Sequence, residues 1–585
     1  MQGSTPPEIG AAPPDMLPAE AVLSTAEPAA PPDSAEGVAR ATGVVALGNI
    51  ASRILGMARE IVLTNLFGAS RAVDAFYVAT IIPKTIYDLL IAGHVNSAIV
   101  PVFSAIAARD GTPALWGVVS ILASLVSVVL AVVTVGLVVF AGPIVSAVGS
   151  GYDANTLALA ADLLRITAPA LLCLSIFSIF SGALYALREF RYPALAGAVF
   201  NAAIVLTLLV FTPPPIVHGA IDLDTGAVLW FAERPPGAIT SAAVGWLVGA
   251  LAQLALQWAG MRGARLRFSM AWRNPAVRQI AKLYAPVMFS LILDTLVVRT
   301  VSYNLASQTG EGSLGYMNWA TTLIQFPQGL VATAISIAIL PTLSRQAGDT
   351  RGDAHALAGP HGDDTAFRDT LGLGLRLAIT LILPAAFGLF VLGRPIVQLL
   401  FEHGAFTAAD TAITTHALRL YLIGLPFAAV DLLLVYAFYA RQDTLTPALI
   451  GFFSLLVYLA VAIALIAPFG LFSLMIADSV KHTVHAALSA VVLQRRHRVM
   501  RGQRLGLTAA KALCAAAVMA AAARLAAPPL EGAVRGALGL NVLSEAVVVV
   551  VCAVLSAGVF TAAAFVLRLE EWRWLGRMIR ERLRR

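Results

Sequence analysis

Long apolar runs set the pattern of this chain, and short polar or basic breaks separate them. A helix needs roughly 20 apolar residues to cross a bilayer at about 1.5 Å per residue. Fourteen stretches reach that length: 41–66, 74–106, 114–147, 157–188, 192–212, 236–261, 279–307, 313–344, 367–392, 408–440, 446–467, 470–494, 507–526 and 541–567. Several are too long for a straight span, so tilts or bends are expected, with Pro83, Gly93 and Pro327 as bend points. The pattern predicts an all-α polytopic membrane protein with about 14 transmembrane helices, because in lipid a helix satisfies its own backbone.

The same pattern repeats. Tyr185-Ala186 precedes Pro193-Ala194-Leu195 and Gly197, and Tyr439-Ala440 precedes Pro447-Ala448-Leu449 and Gly451 at identical spacing. Ala98-Ile99-Val100-Pro101 with Ser104 is echoed by Ala338-Ile339-Leu340-Pro341 with Ser344. Six helices per copy preserve orientation, so two parallel six-helix repeats with a cavity between them are expected, plus two extra C-terminal helices. The predicted division is a disordered tail (1–39), an N-terminal lobe (40–262), a C-terminal lobe (263–500), two additional helices (501–567) and a basic cytoplasmic tail (568–585).

Composition agrees. Of 585 residues, 58% are apolar and only 12% charged, against about 25% charged in soluble domains. The net charge of +7 matters through its placement. With the N-terminus inside, the inner loops hold most Lys and Arg. The outer segments hold only Arg71, Arg234, Arg394, Arg524 and Arg535. This fits an even helix number with both termini cytoplasmic. From Arg568 onward, Arg alternates with Trp572, Trp574, Leu575 and Met578, which suits either an interfacial amphipathic helix or a plain basic end. Cys173, Cys514 and Cys552 lie in apolar runs without metal spacing, so no metal, disulfide or cofactor is expected. No nucleic acid partner is expected either. Nucleotide-loop, metalloprotease and soluble catalytic-domain signatures are lacking, so the chain reads as a transporter, not an enzyme.

Charges inside spans carry the chemistry, since each costs roughly 2.5–3.5 kcal/mol at the centre on insertion scales. Arg53 lies near mid-depth of the first span and Arg59 about 120° around the helix. The second span adds Lys84 and Asp88, spaced for an intrahelical pair, and Asp74 at its start, where an acid suits a helix N-terminus. Two readings stand here. One is an internal salt-bridge set, Arg59 with Glu60 or Asp74 and Lys84 with Asp88. The other is a cationic cavity for an anionic substrate, since arginine binds phosphate oxygens bidentately. In the second half, Asp294 and Asp478 are coupling-ion candidates, and an Asp294–Arg299 pair is the structural alternative. Arg165, Arg376 and Lys481 are expected to snorkel. His482 and His485 share a helix face with Asp478, without the makings of a metal site.

Several motifs then resemble a known family. Ser52-Arg53-Ile54-Leu55-Gly56 with Arg59-Glu60, Phe67-Gly68-Ala69 and Asp74-Ala75-Phe76 is similar to the start of the MurJ (MviN) lipid II flippases, of the multidrug/oligosaccharidyl-lipid/polysaccharide exporter superfamily. Leu400–Thr407 resembles the family's FERGAFT segment, with His403 for Arg. Phe438–Thr444 with Thr446-Pro447 resembles its YARQDTxTP loop. The resemblance implies two six-helix lobes in a V and a groove for a lipid tail along the last two helices. It also implies alternating-access movement of an undecaprenyl-diphosphate peptidoglycan precursor from the inner to the outer leaflet of the bacterial inner membrane. By matched position Arg53, Arg59 and Asp74 are implied in substrate handling with Ser52, helped by Lys84 and Arg299. Departures occur where the family has charge: Tyr87 for an arginine, Thr321-Thr322 for an Asp-Arg pair, and Gln325 for an acid. The implied partners are lipid II or a similar lipid, membrane lipids and cell-wall synthases, with the chain a monomer. Reset is expected from the membrane potential, acting on the cavity cations or on bound Na+ or H+. The rival functions are export of another lipid-linked oligosaccharide, cation-coupled drug antiport, and a non-transporting scaffold.

Overall fold

The computed structural model describes residues 35–90, 94–221, 228–261, 263–282, 299–348, 363–539 and 542–583. The expected tail up to residue 34, the bend at Gly93 and the candidate Asp294 lie outside them. In the first half α1 (Ala35–Phe67), α2 (Arg71–Leu90), α3 (His94–Val139), α4 (Ala141–Val148), α5 (Ala154–Thr167), α6 (Ala170–Ala186), α7 (Arg191–Phe211) and α8 (Thr240–Gly260) pack together. The second half holds α9 (Arg299–Ser307), α10 (Ser313–Pro327), α11 (Ala334–Gly348), α12 (Asp363–Phe401), α13 (Ala408–Ala440), α14 (Leu445–Phe469) and α15 (Phe472–His497). Then α16 (Leu505–Leu538) and α17 (Val542–Val566) pair with each other and lie against α12. Nine helical segments among the described residues are long and apolar enough to cross a membrane.

Helices approach closely where side chains are small. A Cβ on Gly48 would overlap the Ala194 backbone, and one on Gly424 would overlap Ser479, which closes α13 onto α15. The bends have local causes. Gly111 leaves the helical region (φ 82°, ψ 170°) just before Pro113 and divides α3. Pro327 ends α10, and a π-helical turn, Gln328–Thr333, joins it to α11. Pro83, expected as a bend, sits inside a continuous α2.

The repeated sequence is a repeated turn. After α6, the Leu187, Arg188 and Glu189 amides donate to Ala183, Tyr185 and Leu184. After α13, Arg441, Gln442 and Asp443 donate to Ala437, Tyr439 and Phe438 in the same order. Arg188 and Gln442 both take positive φ, 63° and 60°. This is the helix ending in which an αL residue returns amides to the last carbonyls.

One feature departs from the sequence reading, and a second takes the helical form of the two that the sequence left open. An antiparallel hairpin, Ile216–Ile221 (β1) with Val228–Glu233 (β2), pairs Ile216 with Glu233 through Ile221 with Val228 in an otherwise helical fold. The basic C-terminal end forms α18 (Glu570–Leu583) and is docked. Trp572 meets Phe560 edge-on at 5.1 Å, and the nearly buried Glu571 pairs with Arg376 at 2.8 Å. Arg376, expected to snorkel, is tied to this helix and to Gln503. Arg165 pairs with Asp162 on its own helix.

Candidate functional site

The two halves face each other along α1 and α2 on one side and α9 to α11 on the other, and two distinct sets of contacts join them. At one end, two helix N-termini meet nearly head to head. Asp74, in the first turn of α2, is fully buried. Its carboxylate accepts from the Gly312, Leu314 and Gly315 amides at 2.7, 3.2 and 3.3 Å, at the start of α10. The acid was expected to serve its own helix; it serves the opposite one. The return contact comes from Glu311, whose carboxylate accepts from the Arg71 amide at 3.2 Å at the start of α2. Without these acids the two positive helix ends would repel.

Backbone contacts surround this seam. The Ala405 amide donates to the Asn65 carbonyl at 2.9 Å. Gly68 (φ 58°) faces the Ala405 carbonyl and Gly404 (φ 61°) faces the Asn65 carbonyl, each so close that a Cβ would overlap it. The Gly151 amide donates to Ser307 Oγ at 3.0 Å, and Asn304 Nδ2 donates to the Ala147 carbonyl and Ser150 Oγ at 2.8 Å. Arg71 also bonds Asp153 at 2.7 Å. The Thr156 hydroxyl, with the Arg71 charge, holds the Asp153 carboxyl below the usual carboxylate range.

Deeper in the cleft the contacts are between charged side chains. Half-buried Arg53 reaches across from α1 and donates from Nη1 to the Gln325 carbonyl at 3.0 Å. Its guanidinium lies over Gly329, where a Cβ would overlap it. Arg59 forks onto the nearly buried Glu60 and donates to Asn201 Oδ1 on α7 at 3.1 Å. Tyr77 holds the other Glu60 oxygen at 2.7 Å. Arg299 crosses from α9 to Asp88 on α2 at 2.5 Å. Asp88 is thereby taken by Arg299 and not by Lys84, against the intrahelical expectation. Lys84 is exposed, with Asp88, Arg299, Arg59 and Glu60 as the charges around it. Four cations thus face two carboxylates, a surplus of two positive charges.

Other candidates make different contacts. The Ser52 hydroxyl packs on Gly197 of α7, and the Ser52 carbonyl accepts from Asn201, the side chain that Arg59 bonds. Asp478 on α15 bonds Lys481 at 2.7 Å, and Lys481, expected to snorkel, stays with it. Thr321 and Thr322 return their hydroxyls to carbonyls of their own helix, so they supply no charge. Sequence reasoning missed Asn201 and Tyr77, the groups that aim Arg59 and Glu60. An asparagine inside an apolar span was the available signal for the first.

This fold coincides with what comparison finds. The family described as lipid II flippase MurJ matches residues 63–530. The chain belongs to that family. It is therefore a multi-pass membrane transporter of the bacterial inner membrane type and not an enzyme. A relative from Burkholderia cenocepacia, named lipid II flippase MurJ, is 30% identical over 401 residues, covering 68% of this chain and 72% of that one. A solved lipid II flippase MurJ, described as an inward closed conformation, superposes with a TM-score of 0.70 at 20% identity, covering 89% of this chain and 99% of that one. An inward-facing multidrug resistance MATE family transporter superposes at 0.60 with 12% identity, covering 77% and 95%, which supports the shared fold alone.

Proposed function

We propose that this chain moves lipid II, the undecaprenyl-diphosphate peptidoglycan precursor, across the inner membrane by alternating access. The observation that carries the reading is the surplus of two positive charges formed by Arg53, Arg59, Lys84 and Arg299 between the lobes. A diphosphate supplies the matching negative charge. Arg53 now donates to a neutral carbonyl; a phosphate oxygen is a stronger, charge-assisted acceptor. A headgroup here would take Arg53 from α10 and compete with Asp88 for Arg299. Binding would thus loosen contacts that hold the lobes together. The Asp74 end then faces outward, both termini are cytoplasmic, and the prenyl tail stays in lipid beside α16 and α17. No bond is made or broken. The protein lowers the barrier by solvating a headgroup that hydrocarbon cannot. Reset draws on the membrane potential, worth about 2.3 kcal/mol per charge per 100 mV.

The second reading is export of a different lipid-linked oligosaccharide. Thr321 and Thr322 favour it, because they leave α10 uncharged where the resemblance implies an Asp-Arg pair. Rescue of a bacterium depleted of its own lipid II flippase separates the two. Wild type is expected to restore lipid II in the outer leaflet, and Arg53→Ala at equal expression is expected to fail. If well-expressed wild type fails to restore it, the lipid II reading is wrong and the second reading takes its place.

A further inference from the structure

Among the intramembrane charges outside the cleft, one set lines a single helix. Asp478, Lys481, His482, His485 and Ser489 follow one another on α15 at helical spacing, a polar stripe about 16 Å long. Its two ends are built differently. Asp478 is satisfied within its own helix, by Lys481 at 2.7 Å and His482 at 3.7 Å. Lys481 also stands 5.7 Å over the Tyr458 ring of α14, whose hydroxyl meets Ser302 of α9 at 2.7 Å. A carboxylate already held by a tethered ammonium has no need of a cation from solution.

The other end joins two helices. His485 Nδ1 lies 2.5 Å from Asp431 Oδ1 on α13, and Ser489 Oγ lies 3.4 Å from both. These side chains are only 15% and 13% exposed. The charged and titratable groups around the pair are few. From α13, Tyr439 lies farther along from Asp431, and on α15 His482, Lys481 and Asp478 share the stripe of His485, with Lys481 one turn away and paired to Asp478. On the α14 side His485 Nε2 looks onto Gly451, which brings no charge.

We propose that His485 and Asp431 are the proton-binding site through which pH sets the conformation of this transporter. With one proton the pair is neutral, as imidazolium and carboxylate or as imidazole and acid. Without it a carboxylate is left between α13 and α15 with no cation bonded to it among the described residues. A buried charge in a span is costly, so the proton-free pair favours whichever conformation lets water reach it. The same helix carries the effect to the seam. α13 begins at Thr407, whose capping box uses Asp410. Tyr316 of α10 bonds Asp410, and the preceding Ala405 rests on Asn65. A shift of α13 along α15 therefore moves the loop that helps close the Asp74 end.

This inference rests on alternating access and not on lipid II being the cargo. Spin labels at Asn155→Cys and Gln308→Cys, in full-length protein with Cys173, Cys514 and Cys552 replaced, would report the separation across the seam. The protein is placed in phosphatidylethanolamine/phosphatidylglycerol nanodiscs in sodium-free buffer at pH 5.5 and 8.0. The expected result is a change of at least fivefold in the closed-to-open ratio between the two pH values. His485→Gln and Asp431→Asn should each reduce that change below twofold, while His482→Gln responds like wild type. A pH-independent wild type overturns the proposal, as does a His485→Gln or Asp431→Asn protein that still follows pH fully. The wild-type arm decides even if a variant does not fold. Lipid II translocation in proteoliposomes is scored separately. Its absence, with a pH-dependent seam, removes the lipid II reading and leaves the proton site standing.

Discussion

The two places where the lobes touch differ in kind. At the Asp74 end most partners are backbone amides, carbonyls and glycines, and the central acid is fully buried with three donors. In the cleft the partners are long charged side chains, and cations outnumber acids. A backbone seam has one good geometry and either forms or does not. Flexible cations can exchange a carbonyl or carboxylate for a phosphate. The first arrangement suits a gate and the second suits a binding site. The contrast is open to direct attack.

Replacing Asp74 by Ala should have the largest effect. It strands buried N–H groups at the start of α10, each worth about 1–3 kcal/mol. The closed form should be weakened by roughly 3 kcal/mol or more, read as a shift to long distances between labels at 155 and 308. Asp74→Asn keeps an acceptor and should cost less. A seam that stays closed in Asp74→Ala would mean the glycine contacts alone hold this end. Next comes Gly404→Ala, which puts a Cβ onto the Asn65 carbonyl at φ 61°. Such strain costs about 1–3 kcal/mol and should open the same distance, while leaving undecaprenyl diphosphate affinity within about twofold of wild type. Equal losses of closure and affinity would show that gate and site are not separable.

The cleft should answer with the opposite sign. Asp88→Asn frees Arg299 and raises the local positive charge, so undecaprenyl diphosphate should bind about tenfold more tightly, a gain of roughly 1.4 kcal/mol. Arg299→Gln should weaken it. Calorimetric titration of both variants checks the pair. Unchanged binding in both would place Arg299 in a structural bridge only.

How far all this was legible depends on the range of each interaction. The all-α membrane fold was readable because a helix in lipid must be long and apolar, and Arg53, Arg59 and Lys84 stood out because charge there is costly. The repeat was readable because the turns at Arg188 and Gln442 are local. What escaped was made by tertiary contact. Asp88 lies four residues from Lys84, yet its partner comes from the other half. Asp74 obeyed the rule that acids favour helix N-termini, but on a helix more than two hundred residues away. The docking of α18 through Glu571 could not be read from a tail whose basic residues suited two fates. The intervals between interacting residues, not their types, were missing.

The smallest predicted effect tests the cause of the contrast most closely. Glu311 and Asp74 play matching roles, each capping the other lobe's helix, but the Glu311 side chain is 52% exposed and Asp74 is buried. If capping geometry alone set the strength of the seam, removing either acid would cost the same. If burial sets it, Glu311→Gln should shift the closed population by no more than about 0.5 kcal/mol, the scale of exposed ion pairs. Water can replace Glu311 at the Arg71 amide, whereas nothing can replace Asp74. Raising salt to 1 M should then leave the wild-type distance nearly unchanged, because the contact that matters is shielded from screening ions. A large loss of closure in Glu311→Gln would instead make the seam a surface electrostatic latch, and the distinction between a backbone gate and a charged site would fall with it.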